Sequence, residues 1–225
     1  EGAIYTRWGK ASCPDGHNQL YTGYIVGSAD GHAQGSSSLM CLTSEMRLDQ
    51  YSLTDNSSEH VYRVEYRDPL HAIRASTNDM EWMDVLDHMD AVCSVCQSVD
   101  RSWALTVPGS SACPGALTLD YSGYLMAERW DMHRGQYICV DQAAEGVPGT
   151  GQDTYSVGLC PTETDDGLGT YVDLQEVTCA QCSSDAGPTY VRWGRNTCPL
   201  SATLVYVGHA AGPHRDEHGS GHNLQ

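Results

Sequence analysis

The sequence predicts an all-β protein: two similar, disulfide-stapled β-rich halves followed by a partial third repeat, with little helix. Three observations carry this expectation. First, a Cys-Pro pair followed at a fixed offset by Tyr-x-Gly-Tyr or Tyr-x-Gly-His occurs three times. The copies are Cys13-Pro14 with Tyr21-Thr22-Gly23-Tyr24, Cys113-Pro114 with Tyr121-Ser122-Gly123-Tyr124, and Cys198-Pro199 with Tyr206-Val207-Gly208-His209. Second, short runs such as residues 3–8 and 117–121 alternate with period two, as half-buried strands do. Third, ten cysteines in a Gly-rich chain with many polar turns read as a disulfide framework, and so as an oxidising compartment.

In chain order, the first unit spans residues 1–100, the second 101–187, and the partial third repeat or tail 188–225. Unit one opens with Tyr5-Thr6-Arg7-Trp8-Gly9, and unit three opens at the same spacing from its cysteine with Tyr190-Val191-Arg192-Trp193-Gly194. Unit two has a looser version, Arg101-Ser102-Trp103. After Tyr24 come Ile25-Val26, a polar loop over residues 28–38, and Leu39-Met40-Cys41-Leu42. Unit two repeats the order with Leu125-Met126, a polar loop over residues 128–136, and Tyr137-Ile138-Cys139-Val140. From Cys13 to Cys41 is 28 residues, and from Cys113 to Cys139 is 26. The same interval from Cys198 falls at about the residue after Gln225, so the sequence is expected to stop inside a third unit. The other expectation is a natural end that adds a strand to the first two units. Residues 78–89 place Met80, Met83, Leu86 and Met89 three apart behind a Thr77 or Asn78 cap, which predicts either one helix or a single turn. Gly187-Pro188-Thr189 reads as a linker.

Each of the first two units ends on Cys-x-x-Cys, at Cys93/Cys96 and Cys179/Cys182. Structural bridges are the expectation; a reduced zinc protein or a redox-active pair is the competing one. A formal net charge of −17 repels phosphate backbones, so no direct nucleic-acid binding is expected. No run of about twenty apolar residues exists, so no helical membrane span is expected. Glu1 reads as a mature N-terminus whose secretory leader has been removed. The chain has 13 Tyr and no Phe, so its aromatic core is built from Tyr and Trp, whose polar ends need partners.

Taken together, these marks resemble the short-chain collagen-like proteins of sponges and other invertebrates. The residues that carry the resemblance are Tyr-x-Arg-Trp-Gly-x-x-x-Cys-Pro, then Tyr-x-Gly-Tyr, Met40-Cys41-Leu42 and Ala91-Val92-Cys93-Ser94-Val95-Cys96. Unit two adds Tyr121-Ser122-Gly123-Tyr124-Leu125-Met126-Ala127, Tyr137-Ile138-Cys139-Val140-Asp141 and Thr178-Cys179-Ala180-Gln181-Cys182. The likeness covers about residues 3 to 183. More distantly, two halves running from Cys-Pro to Cys-x-x-Cys resemble the non-collagenous C-terminal domain of type IV collagen, which is β-rich and oligomeric. No Gly-x-y tract is present, so this sequence forms no triple helix. The resemblance implies nested disulfides: Cys13 with Cys96, Cys41 with Cys93, Cys113 with Cys182, and Cys139 with Cys179. Cys160 and Cys198 are left over and are expected to join each other, tying the tail to unit two.

Several constellations suggest chemistry. Each loop after Tyr-x-Gly holds Asp-x-His: Asp30/His32, Asp131/His133 and Asp216/His218. Carboxylate and imidazole two residues apart share one face of an extended chain and suit a divalent metal, calcium or zinc; a plain polar loop is the bland alternative. His214 and His222 flank His218 and extend that candidate set, along with His209. Acidic loops at residues 163–167 and at Asp84, Asp87 and Asp90 offer oxygen ligands without an EF-hand pattern. Asn56-Ser57-Ser58 is a glycosylation sequon. Among the aromatics, Trp130, Tyr24 and Tyr124 are the candidates for contacting a ligand, since they border these loops. No Gly-x-Ser-x-Gly, His-Glu-x-x-His or P-loop occurs, so no catalytic residue is assigned. The function expected is a secreted, oligomeric, non-enzymatic recognition or matrix protein that meets extracellular glycans or matrix proteins. The rivals are a metal-assisted lectin and a secreted defence toxin or metal-dependent hydrolase.

Overall fold

The computed structural model describes residues 2–28, 38–47, 61–67, 85–129, 135–151, 157–165 and 174–212. Ten strands make up its ordered frame. They are β1 (Ile4–Trp8), β2 (Asn18–Gly27), β3 (Met40–Thr43), β4 (Tyr62–Tyr66), β5 (Val92–Gln97), β6 (Trp103–Pro108), β7 (Thr118–Glu128), β8 (Ile138–Asp141), β9 (Val157–Pro161) and β10 (Thr178–Ser184). The protein is all-β. Of the segment expected to be a helix or a turn, Val85 and Leu86 are helical and Asp87 and His88 form a turn, and residues 78–84 lie outside the described residues.

The second five strands pair as the first five do, at matching register. Gly23 on β2 lies opposite Cys93 on one side and Thr43 on the other. Gly123 on β7 lies opposite Cys179 and Asp141 in the same way. β5 runs between β1 and β2, and β10 runs between β6 and β7. Each of these central strands carries its Cys-x-x-Cys. Four disulfides follow, Cys13–Cys96, Cys41–Cys93, Cys113–Cys182 and Cys139–Cys179. They are the four pairs that the resemblance implies. Each closes a long loop and contributes about 2–4 kcal/mol in the chain-entropy account.

The two sets of strands are joined directly. β4 pairs parallel with β9 through Val64 opposite Val157 and Tyr66 opposite Leu159, and β1 meets β8 at Trp8 and Val140. With β9 also pairing to β7, the strands β7-β8-β1-β5-β2-β4-β9 close into a ring. Ile25, Val64, Tyr66 and Cys93 from the first half pack with Met126, Val140, Val157 and Leu159 from the second in one core. Burying these apolar side chains together is the main force holding the halves face to face.

The expected bond between Cys160 and Cys198 is absent: both keep their thiols. Cys160 is buried on β9. Cys198 sits in residues 185–212, where almost every residue is exposed and no strand forms, so nothing brings its sulfur beneath the sheet.

Gly23 and Gly123 are fixed by close approach. A Cβ on Gly23 would collide with the Leu42 carbonyl oxygen, and one on Gly123 with that of Val140. Both contacts are to backbone, which cannot swing aside without parting the strands. Gly123→Ala is expected to lower stability by at least about 3 kcal/mol in denaturant unfolding of the unreduced protein. Gly151→Ala, whose nearest neighbour is Met89 Cγ at 3.9 Å, should stay within about 0.5 kcal/mol of the parent. Equal effects of the two would contradict the assigned strand pairing.

Candidate functional site

A polar constellation lies on the seam between the halves. His17 follows the first Cys-Pro turn, and its Nε2 is 3.1 Å from Asp120 Oδ1 on β7. Ser183 Oγ on β10 donates to the same carboxylate oxygen at 2.8 Å. Asp120 reaches this position through a β-bulge: Gln181 faces Tyr121 and Cys182 faces Leu119, so the register skips Asp120. A bulge of this kind re-aims one side chain out of the regular alternation. The Asp120 side chain is only 1% exposed.

Tyr5 packs edge-on against the His17 ring, with ring centres 5.8 Å apart. Nearby, Arg7 on β1 gives two N–H groups to Asp141 Oδ2 on β8, at 2.7 and 2.9 Å, and its guanidinium lies 5.7 Å from the centre of the Tyr121 ring. The single Tyr121 hydroxyl proton has two carbonyl acceptors within reach, Cys139 at 2.9 Å and Thr6 at 3.3 Å, one in each half. Lys10 Nζ meets Glu145 Oε1 at 2.6 Å. Partial burial pulls the Glu145 carboxyl up, but Lys10, the Ala11 N–H and Arg7 outweigh it and hold it below its ordinary value.

The chemistry of this seam is that of a lock. A nucleophilic serine needs its hydroxyl aimed at a base that takes its proton. Ser183 is buried and donates to Asp120, with the carboxylate in the middle of the trio, so His17 does not activate it. Both nitrogens of His17 face oxygen atoms, Asp120 Oδ1 at 3.1 Å and the Asp15 carbonyl at 3.2 Å. Asp120 Oδ2 and Tyr5 Oη are buried without a hydrogen-bond partner. Desolvation of this kind is costly and lifts the pKa of the group concerned. Burial raises the Asp120 carboxyl above the usual aspartate value, against the opposing pull of Ser183, His17 and Arg101. Burial raises the Tyr5 hydroxyl as well, helped by the charge of Asp120.

Of the sequence-derived metal and ligand candidates, those among the described residues lie outside the His17–Asp120–Ser183 trio. Asp30, His32, Asp131, His133, His214, Asp216, His218, His222, Trp130 and Asn56 lie outside the described residues. Tyr24 is on β2 beneath the guanidinium of Arg63, 4.2 Å from its ring centre, and Tyr124 is half-buried against the shared core. Of the acidic groups, Asp90 is held by Arg63 at 2.7 Å, and Glu163 lies opposite Glu176 in an isolated bridge. Among the described residues no three His, Cys, Asp or Glu side chains converge as a metal site. No helix of the described residues is long and apolar enough to cross a membrane. No protein-family model matches the chain.

Sequence reasoning missed the seam because its members stand 63 and 103 residues apart. A signal was present. Four residues after the Cys-Pro cysteine, unit one has His17 where unit two has Leu117; seven after it, unit one has Leu20 where unit two has Asp120. Both of these differing positions supply a partner of the His17–Asp120 contact.

The raised Asp120 value fixes a pH dependence. The folded protein holds this proton over a range where the unfolded chain has released it, so the contribution to stability is present below the ordinary aspartate value and is lost as pH rises through the raised one. Urea unfolding should show the stability of the parent, relative to Asp120→Asn, falling as pH rises from about 3.9. A difference flat across the acid range would contradict the burial argument.

Proposed function

We propose that the protein is a secreted extracellular recognition or matrix component that acts by binding and assembly, without a catalytic step. The observation that supports this best is the closure of both strand ladders by four disulfides around a shared core. Such a frame suits an oxidising, extracellular setting, where disulfides persist. Segments carried at the ends of rigid strands are the usual carriers of binding. The Asp30/His32 and Asp131/His133 segments follow the ends of β2 and β7, equivalent places in the two ladders. Equivalent contact loops on one frame multiply weak affinities, and oligomerisation multiplies them again. The partners are extracellular glycans or matrix proteins, with calcium or zinc as a candidate aid at the Asp-x-His pairs. The resemblance to short-chain collagen-like proteins points the same way. The lock-like arrangement of His17, Asp120 and Ser183 also favours a binding role over catalysis by that trio.

The test is retention of the purified, unreduced protein on immobilised matrix proteins and on a glycan array, with its mass read by light scattering. The expected result is an oligomer that binds at least one class and loses binding after reduction and alkylation. Loss of sugar binding with chelator, restored by calcium or zinc, would select the lectin form of this reading. A monomer that binds neither class would overturn it, as would turnover of an ester, phosphodiester or glycoside that disappears in His133→Ala.

A further inference from the structure

The tail repeats the local geometry of the two closed units but lacks what fills them. In the three Cys-Pro turns, the proline carbonyl accepts from the backbone N–H three residues on: His17 to Pro14 at 3.2 Å, Leu117 to Pro114 at 3.4 Å, and Ala202 to Pro199 at 3.0 Å. Arg7 Nη1 donates to the Ser12 carbonyl at 2.9 Å, and Arg192 Nη1 donates to the Thr197 carbonyl at the same distance. Gly9, Gly109 and Gly194 turn the chain with φ of 82°, 82° and 73°. The left-handed region that favours glycine is thus occupied at the same place in all three copies.

In the closed units, the arms on either side of the turn clasp a Cys-x-x-Cys strand. Tyr5 on one arm and Gln19 on the other both lie opposite Cys96, which is bonded to Cys13. Leu105 and Leu119 flank Cys182, which is bonded to Cys113. The corresponding tail residues, Tyr190 and Leu204, belong to no ladder. Tyr5 is 8% exposed, whereas Tyr190 is 61% exposed, Trp193 52% and Val207 54%. Aromatic and β-branched side chains at strand spacing, with backbone groups unpaired by any sheet, are the ingredients of strand addition.

We infer that residues 189–208 are an open half-unit that receives an extended Cys-x-x-Cys strand from a partner polypeptide, and that Cys198 forms a disulfide with the second cysteine of that strand. Both Cys-x-x-Cys strands within residues 1–225 are already held between their own arms. The incoming strand is therefore a further one, apolar and β-branched around its cysteines as Val92-Cys93-Ser94-Val95-Cys96 is. The S–S bond forms as the two thiols lose two protons and two electrons. A small-molecule disulfide takes these up and leaves as two thiols. Extracellular redox conditions matter only for that bond, and the test supplies its own.

The whole protein is incubated in a glutathione redox buffer with a synthetic peptide of residues 90–99, then digested and mapped by mass spectrometry. The expected result is a Cys198 link to the peptide's second cysteine at least ten times more abundant than to its first. The link should persist when the first cysteine is Ser, and should fall at least fivefold with a scrambled peptide or in the exposed-arm variants Tyr190→Lys and Leu204→Lys. Equal reaction of both cysteines, or of the scrambled peptide, would overturn the inference. So would a Cys198–Cys198 dimer or a Cys198–Cys96 link between two copies in place of the peptide adduct.

Discussion

The structure depends on two sulfurs three residues apart on one extended strand. Side chains alternate faces along a strand, so a spacing of three sends the two cysteines of Cys-x-x-Cys to opposite sides. Cys93 enters the core shared by both halves, and Cys96 enters a second cluster with Tyr5, Tyr121 and Leu125. One sulfur reaches back to the Cys-Pro turn and the other to the short strand across β2. The central strand is thereby pinned on both faces while its backbone is paired on both edges. β10 repeats the arrangement, with Cys179 and Cys182 in different clusters.

Pinning alone would leave two separate ladders. They become one body because each half lends residues to the same core and because polar contacts cross the seam. Arg7 on Asp141, His17 on Asp120 and Tyr121 on the Thr6 carbonyl each cross from one half to the other. Buried ion pairs are a weak source of net stability, since desolvation offsets most of the attraction. Their use here is in alignment. Asp120 keeps an unpartnered oxygen, so the seam carries a desolvation cost that the shared apolar core must offset.

Much of the fold was legible in the sequence. Period-two runs gave strands where β1 and β7 stand, and the repeated Tyr-x-Gly marked where a third strand approaches a glycine. The nested cysteine pairing came through resemblance and agrees with the four bonds observed. Elimination failed for Cys160 and Cys198, because a leftover pair has no geometry behind it. The candidate site was hidden for a different reason. A seam is made of tertiary neighbours, and neither motif nor period records that Asp120 leaves its face at a bulge to meet His17.

Peptide mapping of the native protein, digested without reduction, tests the central claim most directly. The account predicts four cross-linked fragments, joining Cys13 to Cys96, Cys41 to Cys93, Cys113 to Cys182 and Cys139 to Cys179. A Cys13–Cys41 bond, or a cysteine of one half bonded to a cysteine of the other, would contradict it, since neither fits a central strand pinned between its own two arms.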